Sequence, residues 1–233
     1  MSYQNGPRIV TNGLVLCLDA GNSKSYAGSG TSWTDLSGNG NNGTLTNGPT
    51  YSSANKGSIV FDGTNDWISV TRNSSLSPTS AITEEAMIFR TSTSDQVFIG
   101  LQYGSSTENS YALWYEGGAV RVLIRNSSGM VIVTYTVTLS LNTWYHLIHT
   151  YDGTNQKIYI NGELKQTTAT TGSIVYDANN TVITLGADNN LGYNTGQVAY
   201  MNGRISMVRI YNRALSATEA AQNYNATKGR YGF

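Results

Sequence analysis

The pattern of apolar and polar positions along the chain predicts many short strands and very little helix. One continuous apolar run, residues 14–19, is bounded by glycines, which is typical of a buried strand. Further β-rich runs alternate with Gly-, Asn- and Ser-rich turns at short spacing. The predicted strands cover residues 14–19, 58–62, 67–70, 82–90, 97–103, 111–115, 120–125, 130–137, three segments within 144–164, 174–176, 182–186 and 204–211. About a dozen evenly spaced strands predict an all-β, antiparallel sandwich of two sheets.

The clearest local signal is Asn161-Gly162, which separates two β-rich runs. Both central residues of a type I′ turn need positive φ, and Asn-Gly meets that requirement. Residues 144–164 are therefore predicted to form a three-stranded antiparallel meander. Hairpins are also predicted for 58–62 with 67–70, for 97–103 with 111–115, and for 120–125 with 130–137.

One helix is predicted, near the end of the chain. Ser216 and Glu219 have the spacing of a capping box, in which the side chain of each residue accepts a hydrogen bond from the backbone N–H of the other. The helix is expected to run to about Tyr224. Cys17 lies within the first apolar run and is predicted to be a small buried hydrophobe.

The composition supports a single domain rich in turns. The chain has 233 residues, of which 25 are Gly, 28 Thr, 25 Ser and 24 Asn. These residues favour turns and half-exposed strands, and 233 residues fit one large β-sandwich. We predict one domain over residues 14–233, preceded by an N-terminal extension over residues 1–13.

The charge balance argues against nucleic acid as a partner. Lys plus Arg and Asp plus Glu number 14 each, so no net field attracts phosphate. No segment approaches the ~18 apolar residues of a membrane span, which predicts no membrane insertion. Residues 1–7 are polar and lack the features of a signal peptide, so we expect synthesis in the cytoplasm without export.

Four segments in chain order resemble the laminin-G-like, concanavalin A-like family. They are residues 14–19 with the Asp-Leu-Ser-Gly-Asn-Gly loop at 35–40, the Phe-Asp-Gly region at 59–70, the meander at 144–164, and the closing strand and helix at 202–219. The resemblance implies a jelly roll whose first and last strands lie together, used for glycan or protein adhesion.

The sequences Asp-Gly-Thr-Asn-Asp at 62–66 and Ala-Leu-Ser at 214–216 resemble those of laminin-G-like proteins of bacteriophage virions. This resemblance implies a location in the virion and an extracellular position after lysis of the host. It also accounts for an adhesion module without an export signal.

A calcium ion is the candidate cofactor. Asp35, Ser37, Asn39 and Gly40 match the first half of a calcium loop, but position 12 is Thr46 instead of a glutamate. Further ligands would have to come from elsewhere, and the available oxygens belong to Asn41, Asp62 and Asp66. The alternative is a turn in which these side chains bond their own backbone.

The acidic residues do not form a recognisable catalytic set. Glycosidases on related folds need paired carboxyls on one face of a strand, whereas Glu84 and Glu85 are adjacent and point to opposite faces. His146 and His149 are three apart in a strand and are predicted to be structural. We therefore predict a protein that is not an enzyme and has no catalytic residues.

Two loops have the composition of a sugar-binding site, because sugars stack on aromatic rings and bond Asp and Asn side chains. The first runs from Tyr103 to Tyr111 with Trp114 and Tyr115 beyond it, and the second covers residues 186–193. The predicted ligand-binding residues are Asp188, Asn189, Asn190, Tyr193, Tyr111 and Trp114. The alternative is that the aromatic residues are cross-strand packing pairs and the Asp and Asn residues shape turns.

The sequence thus leads to three functional hypotheses. The first is a non-enzymatic adhesion module on the virion surface or tail that binds host-surface glycan, with an oligomer or multivalent display raising its avidity. The second is a structural decoration protein that docks on a capsid or tail partner and has no sugar site. The third is a carbohydrate-active enzyme whose acidic residues are brought together by folding.

Overall fold

The computed structural model describes residues 8–102, 109–189 and 197–233. Within these ranges the chain forms two eight-stranded antiparallel sheets, a two-stranded ribbon and one α-helix. The predicted all-β sandwich with a short C-terminal helix is confirmed.

The strands are numbered in chain order. Sheet A contains β1 (Leu14–Asp19), β4 (Thr50–Ser52), β5 (Ser58–Asp62), β7 (Ile82–Arg90), β12 (Trp144–Tyr151), β13 (Asn155–Ile160), β14 (Glu163–Ala169) and β18 (Asn202–Tyr211). Sheet B contains β2 (Ser32–Trp33), β3 (Gly43–Thr46), β6 (Trp67–Thr71), β8 (Gln96–Leu101), β9 (Tyr111–Glu116), β10 (Ala119–Asn126), β11 (Gly129–Thr136) and β15 (Val182–Leu185). The ribbon pairs β16 (Asp188–Asn189) with β17 (Gln197–Val198). Short 3-10 turns cover Ala54–Lys56, Ser74–Leu76 and Lys228–Arg230, and the helix α1 covers Ala217–Thr227.

The order of strands shows how the chain closes on itself. Sheet A runs β14-β13-β12-β7-β18-β5-β4, with β1 beside β18, and sheet B runs β11-β10-β9-β8-β15-β6-β3-β2. The first strand therefore pairs with the last strand, as the family resemblance implied.

The meander of residues 144–164 is confirmed as β12, β13 and β14. Asn161 has φ 52° and Gly162 has φ 78°, as a type I′ turn requires. The Asn161 side chain also accepts a hydrogen bond of 2.9 Å from the backbone N–H of His146, which ties the turn to β12. The hairpins β8–β9 and β10–β11 are also confirmed.

The hairpin predicted around residues 62–66 is wrong. β5 pairs with β18 and β4 in sheet A, whereas β6 pairs with β15 and β3 in sheet B. The turn between them thus crosses from one sheet to the other. Residues 174–176, predicted as a strand, make a single bridge from Ile174 to Asn126.

The main core lies between the two sheets, and the outer face of sheet A is covered by α1 and the segments around it. Ala220 of α1 packs on Ile148 and Tyr159, and Val10 packs on Tyr211 and Leu215. The capping box of Ser216 and Glu219 is present. No helix in the described ranges is long and apolar enough to cross a membrane.

A buried polar network ties α1 to sheet A. Glu85 Oε1 accepts from Arg209 Nη1 at 2.6 Å and contacts His146 Nε2 at 2.8 Å, and Glu85 Oε2 accepts from Asn223 Nδ2 at 2.7 Å. Burial alone would raise the pKa of Glu85, but Arg209, with His146 and Asn223, lowers it to about 2. The predicted structural role of His146 agrees with this position beneath the helix.

A second buried pair lies on the opposite face of β7. Glu84 Oε2 is 2.6 Å from His149 Nδ1, and both side chains are fully buried. Burial raises the pKa of Glu84, while the bond from His149 acts in the other direction. The two glutamates therefore serve separate structural pairs on separate faces of the sheet, as the alternation of a strand requires.

Candidate functional site

Alternate residues of β9 face the two sides of sheet B. Leu113 and Tyr115 belong to the core between the sheets. Ala112 and Trp114 instead form a small apolar cluster with Val97 and Leu123 on the outer face, and Ala199 packs against it. Trp114 is 9% exposed, so the residues packed around it hold its indole in place.

A cavity of about 270 Å³ lies beside Trp114. We call it the Trp114 pocket, and it is lined by Asp95, Val97, Gln102, Trp114, Glu116, Asp188 and Ala199. Ligand pockets of drug-like molecules span ~300–1,000 Å³, so this cavity suits a ligand of about one ring.

Polar contacts fix two walls of the Trp114 pocket. Glu116 Oε2 accepts from Trp114 Nε1 at 3.0 Å and from Arg121 Nη1 at 2.7 Å, which sets the position of the indole. Asp95 Oδ1 accepts from the backbone N–H of Gly117 at 3.0 Å, which holds the turn between β9 and β10. The carboxylates of Glu116 and Asp95 are thus placed before any ligand arrives.

Gln102 gives the pocket an unused acceptor. Its side chain is 8% exposed, and within the described part of the chain its Oε1 has no hydrogen-bond partner. A Cβ at Gly100 would lie 2.6 Å from this oxygen, so the glycine leaves room for the amide over β8. This oxygen is itself enclosed. Because a buried acceptor without a partner is costly, a rotation of the amide that turns the oxygen toward the pocket would let a ligand hydroxyl donate to it favourably.

Asp188 reaches the pocket because the segment after β15 folds back over sheet B. The backbone N–H of Val97 donates to Ala199 O at 3.2 Å, and that of Met201 donates to Gly186 O at 2.8 Å. These bonds place Asp188 and Ala199 against the outer cluster. Sequence reasoning chose this loop by composition, but the bond that fixes it on sheet B comes from Val97 in β8, far away in the chain.

The structure brings together two of the predicted ligand-binding residues, Trp114 and Asp188. Tyr111 must be removed from the set, because it is fully buried in the core and its hydroxyl donates to Leu76 O at 3.1 Å. It lies three residues from Trp114 in one strand, and therefore on the opposite face. Asn190 and Tyr193 lie outside the described residues, as does the side chain of Asn189.

Sequence reasoning missed Asp95, Gln102 and Glu116. Glu116 could have been found, because it is two residues from Trp114 in a strand and therefore on the same face. Asp95 and Gln102 flank β8, and the predicted pairing of β8 with β9, which places Val97 opposite Trp114, brings them to the pocket.

The proposed calcium loop is an internally bonded turn. Asp35 Oδ1 accepts from the backbone N–H groups of Cys17 and Ser37, and Oδ2 accepts from Ser37 Oγ and the backbone N–H of Asn41, all between 2.7 and 3.0 Å. Asn39 Nδ2 donates to Ser37 Oγ at 3.0 Å. These bonds hold the loop along the outward side of β1, and calcium binding there stays a prediction.

The second half of the calcium ligand set lies elsewhere. Asn41 Oδ1 accepts from Asn73 Nδ2, just beyond the end of β6, whereas Asp66 precedes the start of β6 and its Oδ2 accepts from the backbone N–H of Asp62. A strand of five residues spans about 16 Å, so Asp62 and Asp66 do not converge with Asp35. Among the described residues, no group of three or more His, Cys, Asp or Glu side chains could hold a metal ion.

Two packed antiparallel sheets hold the Trp114 pocket on an outer face, and rigid scaffolds of this kind commonly position binding residues. The chain belongs to the laminin-G-like family Laminin_G_3 of the concanavalin A-like lectin/glucanases superfamily, whose model matches residues 62–221. No curated protein matches the sequence.

Solved structures show the same fold at low sequence identity. The binding domain of Paraclostridial Mosquitocidal Protein 1 aligns with a TM-score of 0.70 at 18% identity, covering 93% of this chain and 52% of that chain. The botulinum neurotoxin serotype D ligand-binding domain, solved with N-acetylneuraminic acid, has a TM-score of 0.68 at 16% identity, covering 92% and 51%. Domain 4 of AbnA, an extracellular arabinanase of Geobacillus stearothermophilus solved with arabinotriose, has a TM-score of 0.68 at 18% identity, covering 91% and 98%. The chain spans about half the length of the toxin domains.

Proposed function

We propose that the chain is a glycan-binding module and that the Trp114 pocket holds one ring of the glycan. The observation that carries the proposal is the pocket itself, in which an indole held by Glu116 lies beside the free acceptor of Gln102 and the carboxylate of Asp188. An aromatic wall with fixed acceptors suits a sugar, because its C–H faces stack on rings and its hydroxyls donate hydrogen bonds. Proteins of the same fold that were solved with N-acetylneuraminic acid or arabinotriose support this class of ligand.

The module is proposed to bind without cleaving its ligand. Glu116 is bonded to both Arg121 and Trp114, which gives it the task of orienting the indole. The buried glutamates Glu84 and Glu85 are fully enclosed and bonded to His149 and to Arg209. Incubation with the bound polysaccharide is expected to release no reducing ends.

The biological setting remains the one that the sequence suggested: a virion surface or tail protein that meets host-surface glycan after lysis. The phrasing of the loops at 62–66 and 214–216 supports it. Copurification with particles is expected, together with attachment of the particles to host cells that excess free sugar blocks. Particles that carry the protein but attach to host cells equally well in excess sugar would favour the alternative, a decoration protein docked on a capsid or tail partner.

Replacing Trp114 with alanine is expected to weaken glycan binding by about 10- to 100-fold, because a buried aromatic wall acts as a hot spot for binding. The test is a glycan array with a multivalent preparation of the wild type, followed by calorimetric titration of the strongest sugar against both proteins.

Phe89→Ala is the matched control, since Phe89 is a half-buried aromatic residue packed near Trp144 in the other sheet. This control is expected to bind sugar as the wild type does. A blank array for the wild type, or equal binding by Trp114→Ala and the wild type, would overturn the proposal.

A further inference from the structure

The edge strand β11 (Gly129–Thr136) differs from the other sheet edges. Within the described ranges it pairs only with β10, in an unbroken register from Asn126↔Gly129 to Ala119↔Thr136. On β10, the backbone N–H of Arg125 donates to Ser110 O, and its carbonyl accepts from the N–H of Val175, both on the side away from β11. Because the backbone groups of successive residues in a strand point to opposite sides, the backbone groups of β11 that face β10 are those of Gly129, Val131, Val133 and Tyr135. Those of the alternate residues, from Met130 to Thr136, therefore point away from the sheet.

The other edges carry the usual protection against strand pairing. β2 has two residues and β4 has three. β14 bears Glu163 and Lys165, and its register with β13 is interrupted. The outward side of β1 is bonded to the loop at Asp35, through the backbone N–H of Cys17 and the N–H of Leu36. Short length, charge, irregularity and cover are the devices that keep edges from associating.

Among the described residues, none of these devices is present on β11. The strand has eight residues, Gly-Met-Val-Ile-Val-Thr-Tyr-Thr, without a charge or a proline. Met130 is 36% exposed and Ile132 is 41% exposed. A long, regular, uncharged edge with exposed apolar side chains is a template for another strand.

We propose that β11 pairs antiparallel with β11 of a second copy of this chain, about a two-fold axis normal to sheet B. Such an axis keeps the outer faces of both sheets on one side. Residues that lie opposite each other must therefore point to the same face, so their numbers are both even or both odd. Pairing centred on Ile132 places Ile132 opposite its own copy and Met130 opposite Thr134 of the partner. In this register each outward N–H meets an outward carbonyl.

A second copy fits this edge better than a different partner. The strand carries no charge that would select a partner of opposite sign, whereas its outward groups match their own copy reversed. The opposite edge of sheet B is the two-residue β2, so pairing through β11 closes as a dimer and does not continue into a fibre.

The dimer would add avidity to the proposed sugar binding. This consequence rests on the proposed function, whereas the dimer itself does not. Both Trp114 pockets would face the same side of a continuous sheet. Trp114 is two strands from the edge, so five strand spacings and the register offset place the two indoles roughly 30 Å apart. Two weak sites on one face would engage a glycan-coated surface together, with the gain that linkage provides.

Sedimentation equilibrium of the whole chain tests the dimer. The wild type is expected to reach twice the chain mass as its concentration rises, whereas Ile132→Lys is expected to stay monomeric with an unchanged circular dichroism spectrum. Leu164→Lys is the matched control, since Leu164 is 49% exposed on the β14 edge, and it is expected to dimerise as the wild type does.

Mixing Ile132→Lys with Ile132→Glu tests the register. Because the two positions oppose each other across the axis, the mixture is expected to restore the dimer. If Ile132→Lys fails to fold, Thr134→Lys serves as the disrupting variant. A wild type that is monomeric at every concentration, a larger assembly, or equal loss of the dimer in Leu164→Lys would overturn the proposal.

The sugar titration separates this proposal from the preceding one. Ile132→Lys is expected to keep the single-site affinity of the wild type and to lose signal only on a dense glycan surface. A dimer that binds no sugar would overturn the proposed function and leave the β11 pairing intact.

Discussion

Replacing Glu85 with alanine is expected to lower the free energy of unfolding by about 3–5 kcal/mol, because it leaves the buried charge of Arg209 unpaired. Arg209 is 2% exposed, and its ion pair in the described ranges is with Glu85. Without the carboxylate, the guanidinium remains in the protein interior with no counter-charge. The Asn223 amide loses an acceptor at the same time, which loosens α1 from sheet A. Urea unfolding at neutral pH measures the loss.

Two controls separate the effect of the unpaired Arg209 charge from a general effect of shortening a side chain. Glu163→Ala removes an exposed carboxylate bonded to Lys165 and is expected to leave the unfolding midpoint unchanged. The double variant Glu85→Leu/Arg209→Met removes both charges together and is expected to lose less stability than Glu85→Ala. A Glu85→Ala protein within about 1 kcal/mol of the wild type would contradict this account of the network.

Replacing Gly203 with alanine is expected to lower the free energy of unfolding by about 3–5 kcal/mol, through backbone strain and overlap acting together. Gly203 has φ 148° and lies in β18, where it is opposite Phe61 of β5 and Arg90 of β7. An added Cβ would overlap the carbonyl oxygen of Phe89, which belongs to the paired strand and has no freedom to move. Thermal and urea unfolding measure the loss.

Gly48→Ala isolates the contribution of strain. Gly48 has φ 105°, and an added Cβ there meets no heavy atom within 4 Å. Only the cost of the left-handed conformation remains, about 1–3 kcal/mol. Equal losses in the two variants would show that the contact with Phe89 is relieved by a small shift of the strands.

Local turn chemistry explains why most strands could be predicted from the sequence. The meander of residues 144–164 was predictable because Asn161-Gly162 fixes its own conformation and register. The pairing of β5 with β6 was mispredicted for the opposite reason. The turn after Asp62 is compact, with the Asp62 carboxylate accepting from the N–H groups of Thr64 and Asn65, yet the two strands leave it for different sheets. Periodicity reveals a strand without revealing its sheet.

The candidate site could be predicted only in part. Trp114 and Asp188 were chosen by composition. The β8–β9 hairpin was predicted, but the bonds that fold the loop at Asp188 back onto β8 were not readable from the sequence. Tyr111 shows the limit of composition, because its aromatic ring suits a sugar site while its position in the strand sends it into the core. Calcium binding at Asp35 stays a prediction, with the carboxylate of Asp35 already bonded to its own loop.

A crystal structure of the protein with the sugar that binds most strongly tests the central claim most directly. The account predicts a sugar ring against the indole of Trp114, with a hydroxyl donating to Gln102 Oε1 and another bonded to Asp188. A sugar bound away from the Trp114 pocket, or a cleaved product in the crystal, would contradict it.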